Sequence, residues 1–550
     1  QHDPASVLSS ASMRTAAPLA LVAVIGAVAY TSHLVDDRAA IMAFASTAPW
    51  LLICHPSRGP SLRAASIFLG MLYAIGLASL QWLIKISVGG WLIAPVFYVV
   101  LFIPMFAMAR GLFAMWPRAP LSLLWPLAFV AGEWIRISTS PGEVPFGQLA
   151  QALVAYPRLA QSADIGGAWI LSGLAASTGG LIASVVYPGL TGSRRGLPML
   201  MREAAFPVVA LALCLIYGEM QLRAVSFTPG PVVLLVQPNT PGWRDPTRAR
   251  ERTLDIIRMT ETAVDQQPVE MVVWPENSLV LNAPDESDAS RERLGRVRAL
   301  AAKLGAPVVA DGGSFTTTTA RERHSAAVVF PSGKLERSDK QLLVPWSEYV
   351  PFRELLNRLR PGAGDSFERF VRARNPSLTP VEYGGDDPRL FELAEVPQTL
   401  FVVPICYEGL SSRTMNAMYR RALDHGARRL FVANVVNEIL LGESVHRQTL
   451  AYSRLRAIEG RVTVLRATND GISAVINPNG EVQAMLEDAD NRGTLRATVV
   501  FDSRFGTPYA RLGDFVPQVS LAAVASLLIL GFVDQQRHSS YRTRHASVRI

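Results

Sequence analysis

Cysteine is nearly missing from this chain, with three residues in 550. Cys54 and Cys214 lie inside long apolar runs, where a thiol ordinarily acts as a small hydrophobe. Cys406 is then alone in the polar part of the sequence. No intramolecular bridge can staple that part, and Cys406 is either a reactive thiol or a merely buried one. A phosphate-cradling P-loop and a dinucleotide fingerprint are also missing, which argues against the common nucleotide-binding designs. His324, His446 and Gln448 lack close ligand partners at metal spacing, so neither a metal nor another cofactor is expected. Internal repeats and low-complexity tracts are missing too. Charged residues make up only 18% of the chain.

Apolar sequence takes their place, at 49% of residues, and it is gathered into blocks. A hydrocarbon core of ~30 Å takes about 20 helical residues to cross. Spans are predicted at Ala16–Leu34, Ala39–Cys54, Ala64–Ile84, Val88–Met108, Leu121–Ile135, Ile165–Val186 and Ala204–Tyr217, and at Val519–Val533 far downstream. The blocks at Ala39, Leu121 and Ala204 are short, so a buried helix competes with a spanning one there. With a cytoplasmic N-terminus, the loops holding Arg58 and Arg63, Arg110 and Arg118, and Arg194, Arg195 and Arg202 all fall inside, as does the tail with Arg537, Arg542, Arg544 and Arg549. The alternate loops carry only Arg38, Lys85, Arg136 and Arg158, so the positive-inside rule places the long polar segment outside the cytoplasm. The net charge of +8 is then largely topological and needs no nucleic acid to explain it. The chain opens on Gln1, and Met13-Arg14 reads as the start of a signal-anchor.

Residues 227–515 change character to short β-branched runs alternating with charged, helix-like stretches. Strands are predicted at Val232–Val236, Met271–Trp274, Pro307–Ala310, Ala326–Phe330, Leu400–Ile405, Leu430–Ala433, Val462–Leu465 and Ile472–Ile476. Asp245–Val264, Ala289–Leu304, Arg413–His425 and His446–Glu459 read as amphipathic helices, and Arg360–Pro388 as a long loop. This is an α/β layout, in which functional groups are expected where strands end.

Three stretches stand at or near strand ends: Val273-Trp274-Pro275-Glu276, then Asp339-Lys340 leading into Leu343-Val344-Pro345-Trp346-Ser347-Glu348, and Pro404-Ile405-Cys406-Tyr407-Glu408. A Glu after a Trp-Pro strand end, a Lys before Leu-Val-Pro and a Cys in Cys-Tyr-Glu resemble the Glu-Lys-Cys triad of the nitrilase superfamily. With flanking membrane spans, the pattern is similar to the apolipoprotein N-acyltransferase family of bacterial envelopes. The likeness extends to Glu133-Trp134-Ile135-Arg136 and Phe146-Gly147-Gln148 in the apolar half. In the polar half it extends to Gln237-Pro238-Asn239 with Trp243, to Arg456-Ala457-Ile458-Glu459, and to Arg466-Ala467-Thr468-Asn469-Asp470.

The resemblance implies an α/β plus membrane α-helical protein. Residues 13–226 would form an N-terminal bundle of about seven helices and 227–515 a nitrilase-like α-β-β-α sandwich outside the cytoplasm. Residues 516–534 would form one C-terminal transmembrane helix, and 535–550 a basic cytoplasmic tail. It implies a multi-pass protein of the bacterial inner membrane, a monomer. A fatty acyl group would pass from a membrane phospholipid, through a Cys406 thioester, to the α-amino group of a diacylated lipoprotein. Cys406 would be the nucleophile, Glu276 its general base and Lys340 the oxyanion stabiliser beside the Tyr407 backbone N–H. Glu348 would support Lys340, with Trp243, Trp346, Tyr407, Glu408 and Asn437 lining or bracing the site. The chemistry agrees: a thiolate makes a thioester that an amine opens readily, and a thiol with an ordinary pKa of about 8.5 needs a base to reach that state.

The chain departs from the family where an aromatic pair is expected after Asn437 and Leu440 and Leu441 stand instead, and where His324 replaces the usual Asn before Ser325. These departures keep two alternatives open: a membrane-tethered amidase, or an acyltransferase for another amine. The complete triad argues against a degenerate scaffold or sensor.

Overall fold

The computed structural model describes residues 19–34, 37–55, 62–186, 196–240, 248–265, 267–279, 288–315, 322–373, 381, 388–393, 398–439, 441–486 and 491–546. The chain divides into one unit of Gln1–Ser140, Pro145–Arg223 and Asp514–Ile550, and a second of Pro141–Val144 and Ala224–Gly513.

Among the described residues of the first unit, five helices are long and apolar enough to cross a membrane: Leu62–Ser79, Val88–Met115, Ala168–Val186, Leu197–Arg223 and Phe515–Arg537. A helix satisfies its own backbone polar groups, which lipid cannot do, so apolar runs of this length adopt no other state there. The short block predicted at Ala39–Cys54 lies in a shorter apolar helical stretch, Arg38–Ile53, made of several pieces. It is a 3-10 segment, Asp37–Met42, followed by two short helices, Ala43–Ser46 and Ala48–Cys54. Pro49 sits in the first turn of the last piece, the one helical place where a missing N–H costs nothing. The predicted first span is described as the shorter apolar helix Leu19–Thr31. Helix Leu121–Thr139 buries most of its side chains within the unit, including Glu133 and Arg136. Glu133 accepts the Leu149 N–H at 2.9 Å, and Arg136 donates to the Phe146 carbonyl at 3.3 Å while lying 4.7 Å from the Tyr98 ring centre.

The second unit holds β1 (Phe227–Gln237), β2 (Met271–Val273), β3 (Val308–Phe315), β4 (Glu322–Val329), β5 (Leu335–Asp339), β6 (Phe391–Glu392), β7 (Thr399–Val402), β8 (Arg429–Val436), β9 (Thr463–Thr468), β10 (Ala474–Ile476), β11 (Val482–Met485) and β12 (Gly493–Asp502). One sheet has the order β12-β1-β2-β3-β4-β5 and the other β11-β10-β9-β8-β7-β6. In each, three neighbouring strands are parallel (β1–β2–β3 and β7–β8–β9) and the outer strands antiparallel.

Strand period explains the layers. Val233 and Leu235 of β1 pack with Phe401, Phe431 and Leu465 of the other sheet, while Leu234 and Val236 face the helices Ala249–Val264 and Asp288–Leu304. The second sheet is covered on its outer face by Ser412–Asp424, Glu443–Gly460 and Pro508–Leu512. Both sheets are thus buried on two faces, which is why their central strands are unbroken apolar runs. Full burial of one Val, Leu or Phe is worth about 1.5–3 kcal/mol, against a net ~0.5–1.5 kcal/mol for an ordinary hydrogen bond. The inter-sheet layer therefore fixes the frame, and the polar site is carried by it.

The result is an α-β-β-α sandwich, as expected. Four strands were not expected: β5, β6, β11 and β12. The stretch predicted as a loop at Arg360–Pro388 contains the helix Ala363–Arg372. Pro361 and Gly362 stand just before this helix, with Gly362 at φ +81° as its cap, and Arg353 is ion-paired to Asp365 and Glu368 at 2.6 and 2.7 Å. Most of the rest of that stretch, 374–380 and 382–387, lies outside the described residues.

Candidate active site

Glu276 follows β2 by three residues. Trp274, fully buried, donates its ring N–H to the Thr260 hydroxyl at 3.0 Å and its backbone N–H to the Val309 carbonyl at 2.8 Å, which fixes the strand end. The next turn is pinned to β3. Asn277, at φ +61°, donates its N–H to the Asp311 carboxylate at 3.0 Å, and Leu279 donates to the Asp311 carbonyl at 2.8 Å.

Lys340 follows β5 directly, with its backbone N–H on the His324 carbonyl at 2.8 Å. Its ammonium is buried between two carboxylates, 2.6 Å from Glu348 Oε1 and 3.3 Å from Glu276 Oε1. Burial works against the Lys340 charge, yet Glu348 and then Glu276 hold its pKa well above the lysine range. Burial likewise pushes the Glu348 carboxyl up, but Lys340, His324 and the Val344 N–H at 2.8 Å hold it below its ordinary range. Glu348 itself sits in the turn after Pro345, where its N–H meets the Val344 carbonyl at 2.9 Å.

Cys406 stands just past β7 at φ +52°, a left-handed conformation that costs a non-glycine residue of order 1–3 kcal/mol. Glu408 is one reason it persists. Its carboxylate accepts the Ile405 N–H at 2.7 Å on one side, and on the other the Leu342 N–H at 3.1 Å together with the Gln341 N–H. Burial pushes the Glu408 carboxyl up to about 7 against these donors. A side chain on Gly409 would collide with the Asn434 amide, so this turn requires glycine there.

The Cys406 thiol lies in the immediate surroundings of the Glu276 carboxylate, the Lys340 ammonium and the Asn437 backbone N–H. Burial and the Glu276 charge push its pKa well above the thiol range, with Lys340 opposing them. At rest the sulfur is therefore held as the thiol, beside the Glu276 carboxylate that can take its proton. The arrangement can remove that proton as the sulfur attacks a carbonyl carbon, with a fixed ammunition of positive charge at Lys340 for the oxygen that becomes negative.

The fold thus brings Glu276, Lys340, Cys406 and Glu348 together. Glu408 and Asn437 act on the site through the backbone, Asn437 by its N–H rather than its amide. Tyr407 is buried in the nucleophile turn, and Trp346, at φ +65° and 37% exposed, lies on the Glu348 turn with its ring 6.4 Å from that of Phe367. Trp243 and Leu440 lie outside the described residues.

Asp311 escaped the sequence reading, and His324 entered it without a place in the site. Asp311 faces Glu276 from β3, and burial, then the Glu276 charge, push its carboxyl up to about 7. His324 on β4 has close carboxylate partners after all, which corrects the expectation of isolation: its Nδ1 is 3.5 Å from Glu348 Oε1 and 4.0 Å from Glu276 Oε1. Ligand atoms of Glu276, His324 and Glu348 lie within 4.8 Å of one another, close enough to hold a metal ion. The Lys340 ammonium already supplies the cation these carboxylates need, so the set does not fit a resident metal. Further out, Arg466 is paired to Glu438 at 2.5 Å and donates to the Thr449 hydroxyl at 2.9 Å, bracing the turn that presents Asn437.

Comparison with known proteins matches residues 14–181 to the apolipoprotein N-acyltransferase N-terminal domain and residues 233–507 to the carbon-nitrogen hydrolase family. An apolipoprotein N-acyltransferase of Geobacter metallireducens is 26% identical over 546 residues, covering 94% of this chain and 96% of that protein. Apolipoprotein N-acyltransferase 2 of Treponema pallidum is 25% identical, over 78% of this chain and 76% of its own. Among solved structures, an amidase from Nesterenkonia sp. aligns with 51% of this chain and 92% of its own at 16% identity, with a TM-score of 0.34.

Proposed function

The chain belongs to the apolipoprotein N-acyltransferase family of carbon-nitrogen hydrolases, and from that membership we propose that it moves a fatty acyl group from a membrane phospholipid, through a thioester on Cys406, to the α-amino group of a diacylated lipoprotein. The observation that carries the residue roles is the Cys406 thiol set beside a Glu276 carboxylate that is itself 3.3 Å from the Lys340 ammonium.

In the first half-reaction Glu276 takes the thiol proton as the sulfur attacks the ester carbonyl. Lys340, with the Tyr407 backbone N–H, balances the oxyanion. The C–O bond breaks, and Glu276 returns the proton to the departing lysophospholipid hydroxyl. Glu348 holds Lys340 in place, and Glu408 and Asn437 position the sulfur. In the second half-reaction the amine attacks the thioester, the C–S bond breaks and the thiol is restored. No metal or other cofactor is needed at any step. Trp243 and Trp346 would line the substrate cleft.

Membrane helices suit this chemistry, because both substrates are held in lipid. A hydrolytic reading is less favoured, since the family match runs through the apolar half as well as the catalytic one. The placement of arginines supports a catalytic unit facing the periplasm, with the chain working as a monomer. A cysteine placed at the exposed Ser332 would then react with an impermeant maleimide in intact spheroplasts, and labelling only after lysis would reverse the orientation.

The direct test incubates the purified protein with phospholipid vesicles and a diacylated lipopeptide. Mass analysis should find the peptide heavier by one acyl chain. Release of free fatty acid with an unchanged peptide would make the protein a hydrolase instead.

A further inference from the structure

Counting protons around Glu276 exposes a deficit. Acylation of a thiol by an ester is proton-neutral: the sulfur loses one proton and the leaving hydroxyl gains it, so Glu276 alone closes that half-reaction. Aminolysis is not neutral. An α-amino group has an ordinary pKa of about 8 and arrives largely as the ammonium at neutral pH. Its nitrogen must lose two protons to become an amide, and only one of them returns to the sulfur. The balance is R–NH3+ plus acyl–S–Cys406 giving the amide, HS–Cys406 and H+. Glu276 holds one proton at a time, so an amine that enters as the ammonium needs a second acceptor beside it.

Three groups adjoin Glu276 and could serve. Glu348 is committed, one oxygen on the Lys340 ammonium at 2.6 Å and the other on the Val344 N–H at 2.8 Å. Asp311, on β3, holds the Asn277 N–H at 3.0 Å and is fully buried, with no solvent to receive a proton. His324, on β4, places Nδ1 4.0 Å from Glu276 Oε1 and is 8% exposed. Imidazole is also the side chain suited to exchanging a proton near neutral pH.

We propose that His324 is the second proton acceptor of aminolysis, acting through Glu276. This rests on the N-acyl transfer reading. Glu276 takes the first proton from the ammonium and passes it from Oε1 to His324 Nδ1 once their 4.0 Å gap closes to hydrogen-bond length. The regenerated carboxylate takes the second proton as the nitrogen attacks and delivers it to the leaving sulfur, while His324 releases its own to solvent. The charged groups facing His324 favour the step: Glu276 from the turn after β2, Asp311 from β3, and Glu348 and Lys340 from the segment after β5. Its position beside the carboxylates makes His324 a relay in this chain.

The test isolates the second half-reaction. Acyl-enzyme of the wild type, H324N and H324Q is mixed with diacylated lipopeptide from pH 5.5 to 9.5, and loss of the adduct is followed by mass spectrometry. At pH 7, where about a tenth of the amine is neutral and bypasses the relay, both variants should aminolyse roughly 10-fold slower than wild type, a larger loss than in their acylation step. The deficit should shrink toward pH 9.5, where the amine arrives deprotonated. It should vanish with hydroxylamine, which is already neutral at pH 7. A deficit equal for both amines and flat with pH would reduce His324 to a structural role and overturn the proposal. So would D311N reproducing the pH-dependent deficit while both His324 variants behave as wild type. Wild-type acyl-enzyme that reacts with hydroxylamine but never with lipopeptide would instead defeat the N-acyl transfer reading itself.

Discussion

Glu408 and Leu342 are joined across the catalytic unit, the carboxylate of one accepting the backbone N–H of the other at 3.1 Å. Because the opposite oxygen of Glu408 holds Ile405 at 2.7 Å, one side chain locks the nucleophile turn to the segment that carries Lys340. The distance from Cys406 to its cation is thereby set by a residue that need not touch substrate.

Removing this brace in Glu408→Ala frees three backbone donors, that of Ile405 buried and those of Gln341 and Leu342 half-buried. Each unsatisfied group costs about 1–3 kcal/mol, so the variant should unfold at visibly lower temperature in detergent. Acylation of Cys406 should slow by roughly 10–10²-fold, because misplacement of about 1 Å is worth that much in a preorganised site. Normal melting and normal acylation together would show that the turn holds its own shape.

Glu276→Gln and Lys340→Met should fail differently. Gln keeps the shape of Glu but cannot take the thiol proton, so acylation should fall ~10²–10⁴-fold at neutral pH and recover in part at high pH, where hydroxide ionises the sulfur. Met removes the charge that balances the oxyanion, at a typical cost of ~10²–10³-fold, and alkali should restore less of it. Lys340→Met also strands two buried carboxylates, a loss of about 3–5 kcal/mol in stability. Adding Glu348→Gln to Lys340→Met should return part of that stability and none of the rate. Single-turnover acylation across a pH series, with melting curves for each variant, separates these outcomes.

Asp311 makes stability depend on pH with a definite sign. Its pKa rises from 3.8 in the unfolded chain to about 7 in the fold, so the folded state binds the proton more tightly. The stability this contributes is complete below pH 4 and is lost as pH rises through 7. Asp311→Asn keeps an acceptor for the Asn277 N–H and cannot ionise. Melting temperatures measured from pH 4.5 to 8 should therefore fall less steeply for the variant than for the wild type, and parallel slopes would remove Asp311 as their source.

Much of this was legible in the sequence, for physical reasons that also mark where legibility ends. Central strands buried on two faces, such as Val232–Val236 and Leu430–Ala433, are continuous apolar runs and were found within β1 and β8. β5 was missed because Leu-Glu-Arg-Ser-Asp is an edge strand with one solvated side and little apolar signal. β12, Gly493–Asp502, pairs with β1 across more than two hundred residues of sequence, and its half-exposed side chains follow no clean alternation. Glu276, Lys340 and Cys406 could be picked out because each sits at or near a strand end in a distinctive local stretch. Asp311 could not, being one acidic residue inside β3 whose partner is the turn after β2. His324 was visible only as a departure from a pattern, since its carboxylate neighbours come from segments forty-eight and twenty-four positions away.

The thioester on Cys406 is the central claim, and intact mass of the protein after brief mixing with phospholipid tests it most directly. Wild type, and variants with Cys54→Ala or Cys214→Ala, should each gain the mass of one acyl chain, with peptide mapping to Cys406. Cys406→Ala should gain none and should form no N-acylated lipopeptide. An adduct mapped to Cys54 or Cys214, or lipopeptide acylated by Cys406→Ala at the wild-type rate, would contradict the account.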